Sequence, residues 1–354
     1  MRIFPRKIQL LFAGLLLVGS IANLVPMMAQ AQSVSQTTIK QEMTQALEAR
    51  KSEFTLSVGT VSYHQLGVLF QLVLNSHDYL GNVIAQYGFS YLPGTLTIQV
   101  SYRENAAQYR AVVRRVGQLL ATQILKKGMD AFQKEKAIHD YIITHVVYDT
   151  SLQDYTAYDA LFLHQATCQG FALLTYEMLK QAGITNRIVV GTANNSFSTG
   201  SHAWNEVLLA GHWYQLDTTW DDPVPFQKNR LLYAYFNLTN AQLQADHTWQ
   251  QTAYPVATTN YIATLMHASK RQDRAILQAP GLQAETPAYT FSNLTDLQRA
   301  FDQWQKNLPM TVQFRMKTQD LAQLQMLNIR GSIRYSYQTD PRDPRYSIIG
   351  LTEK

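Results

Sequence analysis

A single cysteine, Cys168, in 354 residues is the tightest constraint on this chain. No intramolecular disulfide and no CxxC-type metal site can brace it, so its fold must rest on apolar burial and hydrogen bonding. The means are present. Hydrophobic residues make up 46% of the chain, with 20 Tyr, 14 Phe and 5 Trp, against only 16% charged residues. Wholesale disorder is excluded by that balance, and the length predicts two or three packed units.

Residues 1–31 read as a Sec-type export signal. Arg2, Arg6 and Lys7 form a basic start, 8–25 an apolar run, and Ala29-Gln30-Ala31 a small-residue cleavage site. An uncleaved N-terminal membrane anchor is the alternative, because the run is about 18 residues long. The formal net charge is +5, and three positive charges belong to this leader, leaving +2. That excludes nucleic-acid binding as the main role and leaves weak association with an anionic cell envelope. A secreted or cell-surface location would ordinarily favour disulfides, so an unpaired cysteine there points to a thiol kept for chemistry.

Residues 32–52 read as a polar linker or a loosely held helix, rich in Gln, Thr and Ser. An N-terminal α/β unit with a lead-in helix follows over 53–128: a strand at 53–58, a helix at 63–74, a strand at 95–102 and a helix at 106–127 stopped by Gly128. A helix at 131–145 opens a central region, 129–255. After a Gln- and Thr-rich linker, 256–285, a C-terminal α/β unit spans 286–354. Its pattern is strand 288–292, helix 294–306, strand 310–316, a helix near 320–326 and a hairpin across Asp340-Pro341-Arg342-Asp343-Pro344. The first and last units share a pattern of elements.

The central region holds the chemistry. A helical period over 171–181 places Cys168 at a helix N-terminus, where the partial positive charge favours thiolate and backbone N–H groups can receive an oxyanion. Gly170 would let a substrate approach the backbone. Alternation puts His202, Trp204 and Glu206 on one strand face and Trp213, Gln215 and Asp217 on another, with a turn at Gly211 between them. A hairpin can therefore set His202 beside Asp217. These residue types are what a thiol nucleophile needs: Cys168 attacks, His202 moves the proton, and Asp217 fixes the imidazole. The plainer alternative is a buried cysteine behaving as a small hydrophobe. Asn205 would anchor its strand, Glu206 would line the cleft, and Asp221-Asp222-Pro223 would form a turn. His139 and His145 would lie at or near the surface, His164 in a loop, and His212 in solvent.

Several ordered motifs resemble the transglutaminase-like superfamily, a papain-related group that includes bacterial secreted hydrolases. They are Tyr158-Asp159-Ala160-Leu161, Cys168-Gln169-Gly170-Phe171-Ala172, Ser201-His202-Ala203-Trp204-Asn205 and the run from Trp213 to Pro223. Tyr235-Phe236-Asn237-Leu238-Thr239 and Asp246-His247 extend the likeness. The resemblance implies an α+β fold in which a cysteine-bearing helix packs on an antiparallel sheet, here flanked by two small α/β units. It also implies acyl transfer through a thioester on Cys168 with His202 and Asp217, no cofactor and no metal, and a scaffold role for His247.

The resemblance leaves the second oxyanion donor open among Gln165, Gln169 and Tyr148, with Trp204 a further cleft candidate, although Trp204, Trp213 and Trp220 read first as packing around the hairpin. The expected substrate is an amide of a protein or a peptidoglycan peptide. Hydrolysis is favoured over crosslinking, because water needs no second binding site. A non-catalytic cell-envelope binding module on the same scaffold is the competing reading.

Overall fold

The computed structural model describes residues 34–194, 199–222, 231–279, 281–304, 306, 311–328 and 333–353. The export signal, Pro223 and Met310 lie outside the described residues, as do residues 195–198 before His202. No helix among the described residues is long and apolar enough to cross a membrane.

The chain divides into two compact units, Met1–Arg110 and Ala111–Lys354. The first contains α1 (Gln36–Glu48), β1 (Glu53–Gly59), α2 (Tyr63–Ser76), α3 (Asp78–Val83), β2 (Ile84–Leu92) and β3 (Gly94–Tyr102). Its antiparallel sheet has the order β1-β3-β2. Phe54, Leu56 and Val58 of β1 and Leu96, Ile98 and Val100 of β3 alternate inward, as the period of two requires.

Over 34–52 the helical alternative holds rather than the linker. Ser35 caps α1, and Ile39, Met43, Ala46 and Leu47 form a buried helical stripe hidden among Gln and Thr. Strand β2 was missed. Its alternation is carried by half-exposed Tyr87, Phe89 and Tyr91, whose rings pack on Phe70 and Tyr63.

Helix α4 (Ala106–Leu119) spans the division between the units, which falls earlier than residue 128. In the second unit, Asp130 and Gln133 form a reciprocal capping box that starts α5 (Ala131–His145). Two short parallel strands, β4 (Val147–Tyr148) and β5 (Gln165–Ala166), lead into α6 (Cys168–Gln181). This helix is buried on nearly every side and packs on β6 (Asn186–Asn194) and β7 (Thr199–Leu209). With β8 (His212–Leu216) and, beyond the short α7 (Asn240–Leu243), β9 (His247–Trp249), they form an antiparallel sheet of order β8-β7-β6-β9. The α+β core is therefore as expected.

The stretch 256–285 is not a linker either. Helices α8 (Tyr261–Met266) and α9 (Arg271–Ala275) and further single turns bury Tyr261, Leu265, Ile276 and Leu282. Their apolar residues come in runs too short to show a period. Beyond them lie β10 (Thr290–Phe291), α10 (Leu294–Trp304), β11 (Thr311–Lys317), β12 (Ile333–Thr339) and β13 (Tyr346–Glu353), with sheet order β10-β11-β13-β12. The pair β10–β11 is parallel, unlike any pair in the first unit's sheet. Residues 286–354 also belong to the second unit rather than standing apart.

The approach of β9 to β6 is set by Gly191. A Cβ there would lie 2.2 Å from the Thr248 carbonyl oxygen and 2.9 Å from the Trp204 ring. Gly191→Ala should destabilise the second unit by about 1–3 kcal/mol or more through overpacking. Urea denaturation measures this, and unchanged stability would contradict the close approach.

Candidate active site

Cys168 is the first residue of α6 and is half-buried. The helix begins there rather than at residue 171, so the sulfur lies within the first turn, where the backbone dipoles favour negative charge. Thr167 precedes it in extended conformation and donates its N–H to the Asp154 carbonyl (2.7 Å), but its hydroxyl makes no cap bond. Gly170 serves packing rather than substrate approach. A Cβ would sit 2.6 Å from that of Ala166 and 2.9 Å from the Thr156 carbonyl oxygen.

His202 lies on β7 and Asp217 immediately follows β8. The turn between the strands is Ala210-Gly211, both with positive φ (49° and 85°), the left-handed pair suited to a tight hairpin. The register pairs Glu206 with Gln215 and Asn205 with Leu216, which brings Asp217 to the His202 end of the ladder. The expected meeting occurs: His202 Nε2 and Asp217 Oδ2 are 2.7 Å apart and buried. Asp217 Oδ1 accepts the N–H groups of Thr219 (2.9 Å) and Trp220 (3.2 Å). Burial alone would push the carboxyl up, yet the charges and hydrogen bonds of His202 and then His247 hold it well below the usual range.

His202 is thus left with Nδ1 for the Cys168 thiol. Burial alone would push the imidazole down, yet the Asp217 and Cys168 charges and hydrogen bonds raise it to about 10. Burial alone would likewise push the thiol up, yet the His202 charge, its hydrogen bond and the Ala203 N–H bring it below its ordinary value. Such a site can hold a thiolate beside an imidazolium. Asn205 ties the two halves together by donating its side-chain amide to the Ala172 carbonyl of α6 (3.1 Å).

The remaining expected residues divide sharply. Gln165 is exposed and donates to Asp154 Oδ2 (2.5 Å), and Gln169 is half-buried. Tyr148 is half-buried, and its phenol is pushed up to about 12 by burial and then by the negative charges of Cys168, Asp149, Tyr155 and Asp217, which places it in the field of the site. Trp204 is fully buried and donates to Gln215 Oε1 (2.7 Å). It stacks along His202 at 5.9 Å, so it walls the imidazole rather than the cleft. Glu206 is also buried, accepting from Gln215 Nε2 (2.9 Å), and does not line the cleft.

One histidine departs from expectation, and a second, expected as scaffold, reaches the site. His139 is fully buried, with Nδ1 3.2 Å from Asp140 and Nε2 3.1 Å from Asp221. Its spacing from Glu135, Ile142 and Ile143 puts it on the inner face of α5. Asp221 is therefore more than a turn residue; it also accepts the Tyr235 N–H (2.8 Å), while Asp222 accepts that of Tyr148 (3.0 Å). His247 touches Asp217 itself, with Nε2 3.2 Å from Oδ2. The sequence signal was its pairing with Asp246. His145 and His164 are exposed, and His212, also exposed, bonds Thr259.

Burial and the surrounding carboxylates make stability depend on pH. Glu135, dominated by burial, is raised to about 8. His139, where two carboxylates outweigh burial, is raised to about 9. Each raised group binds its proton more tightly in the folded state, so stability falls as pH rises through these values. The melting temperature of the second unit should drop between pH 6.5 and about 9 in scanning calorimetry, and His139→Gln should flatten that slope. A level or rising profile in the wild type would contradict the assignment.

Residues 118–218 match the family model of the transglutaminase-like superfamily. The kyphoscoliosis peptidases of human and mouse are each 26% identical over 184 residues, covering 45% of this chain and 28% of their own length. The chain thus spans under a third of these relatives. Among solved structures, a TGase aligns at 15% identity and a TM-score of 0.29, over 47% of this chain and 50% of its own. The periplasmic domain of TgpA from Pseudomonas aeruginosa aligns at 17% identity and a TM-score of 0.24, over 36% and 55%.

Proposed function

We propose that this protein, with a transglutaminase-like domain at its centre, is an exported cysteine-dependent acyl-transfer enzyme that hydrolyses amides of proteins or cell-wall peptides. The 2.7 Å contact between His202 and Asp217, set against the half-buried thiol at the start of α6, carries the reading. The peptidase names of the human and mouse relatives support hydrolysis over crosslinking. The basic, apolar leader supports export.

The Cys168 thiolate attacks the amide carbonyl carbon, and the carbonyl electrons move onto oxygen. N–H groups at the start of α6 and the Tyr148 hydroxyl are the donors suited to that oxyanion. As it collapses, the C–N bond breaks and the amine leaves with the proton carried by His202 Nδ1. A thioester remains on Cys168. Water then attacks it, giving one proton to His202, and the acid departs as the thiol sulfur is released. Asp217 holds the ring throughout and stabilises its protonated form.

Iodoacetamide labelling tests the nucleophile directly, because Cys168 is the sole cysteine. Wild type should alkylate well below about pH 8.5, and His202→Ala should slow this roughly tenfold or more at neutral pH. Labelling only after denaturation would rule the enzyme out. Amide hydrolysis on envelope peptides should vanish in Cys168→Ala. Tyr148→Phe should lower kcat about 10- to 100-fold while leaving alkylation intact, and an unchanged kcat would remove Tyr148 from the oxyanion site.

A further inference from the structure

Both ring nitrogens of His247 face carboxylates. Nδ1 lies 2.5 Å from Asp246 Oδ1, and Nε2 lies 3.2 Å from Asp217 Oδ2. Ionised carboxylates only accept hydrogen bonds, so both contacts are hydrogen bonds at once only when the ring carries a proton on each nitrogen, the imidazolium form. Asp217 Oδ2 therefore accepts from two imidazoles, His202 and His247, while its other oxygen accepts two backbone N–H groups. Behind His247, Tyr235 donates its hydroxyl to Asp246 Oδ2 (2.6 Å).

Water cannot screen this charge. His247 is fully buried and enclosed by the rings of Trp220 (4.5 Å), Trp204 (5.1 Å) and Tyr235 (5.7 Å). The charged groups that face it are Asp217 from the end of β8, Asp246 from the turn before β9, and His202 from β7, whose ring centre is 5.3 Å away. An apolar residue would pack in this aromatic box at no cost in desolvation. Instead, the bare Cα of Gly191 lets β9 come close enough for position 247 to reach Asp217.

We propose that His247 is a positioning residue carrying a fixed positive charge behind Asp217, one that sets the pH range over which Cys168 and His202 form their ion pair. Asp217 alone would bind the His202 proton too tightly for its release to a leaving amine. A second cation on the same carboxylate oxygen counters that pull, and its field also favours the thiolate. The proposal rests on the thiol chemistry above.

The test is the pH–rate profile of Cys168 alkylation in the full protein. His247→Gln keeps a neutral donor for Asp217 but removes the charge. Both the rising limb, from the thiol, and the falling limb, from His202, should then move to higher pH, the latter by about two units, as expected for losing a buried charge 5.3 Å from the His202 ring. A purely structural role predicts that Gln restores the wild-type profile while His247→Ala does not, and that result would overturn the proposal. If His247→Gln does not fold, ¹⁵N NMR of the wild-type imidazoles decides. Two protonated nitrogens on His247 across the active pH range support the fixed charge, and one unprotonated nitrogen refutes it. Failure of the underlying thiol chemistry is distinct: the wild type itself would lack an alkylation profile that depends on His202.

Discussion

The buried contact between His202 and Asp217 governs how the second unit is built. An ionised carboxylate in the interior costs several kcal/mol unless every lone pair is engaged. Asp217 meets that demand with two imidazoles and two backbone amides, and its own N–H and carbonyl bind Tyr235 (3.1 Å) and Asp221 (3.2 Å). Satisfying one carboxylate thus draws together the end of β8, the turn that follows it, the 233–236 segment and β9. The elements around the cysteine helix are where they are because this charge must be solvated by protein.

The pattern repeats one layer further out. His139 stands between Asp140 and Asp221 much as His247 stands between Asp246 and Asp217, and it stacks on Tyr233 at 5.1 Å. Asp221 joins the two systems, because its N–H binds the Asp217 carbonyl while its carboxylate binds His139. Helix α5 is thereby coupled to the geometry of the site although none of its residues reaches the thiol. The same network explains the Trp220-Asp221-Asp222 sequence: the tryptophan packs against His202 at 5.8 Å, and the two carboxylates hold α5 and Tyr148.

How much of this was legible in the sequence follows from range. Clean periods fixed β1, β3, α5 and the β7–β8 hairpin, because burial on one face alone dictates them. The meeting of His202 and Asp217 was legible because hairpin register is a local rule, whereas Cys168 was singled out mainly by the family resemblance of its motif. What failed was non-local. The burial of His139 depends on a partner 82 residues away, Asp221. Gly170 signals a contact with Ala166 and Thr156 rather than with a substrate, which a glycine in sequence cannot distinguish. Helix α1 and the turns of 256–285 were hidden because a stripe of four apolar residues among Gln and Thr resembles a linker until something covers it.

The C-terminal sheet completes the same logic. Arg342, in the turn between β12 and β13, donates to the carbonyls of Tyr233 (2.9 Å), Ala234 (3.1 Å) and Phe236, and it faces Glu285 at 3.7 Å. These carbonyls belong to the segment whose backbone binds Asp217 and Asp221. A loop with three outward carbonyls needs donors, and a guanidinium supplies several in one rigid fork. In a chain with a single cysteine no disulfide can hold such a loop. A buried arginine from a distant hairpin does so by hydrogen bonding, which makes residues 286–354 a brace for the candidate site rather than an appended domain.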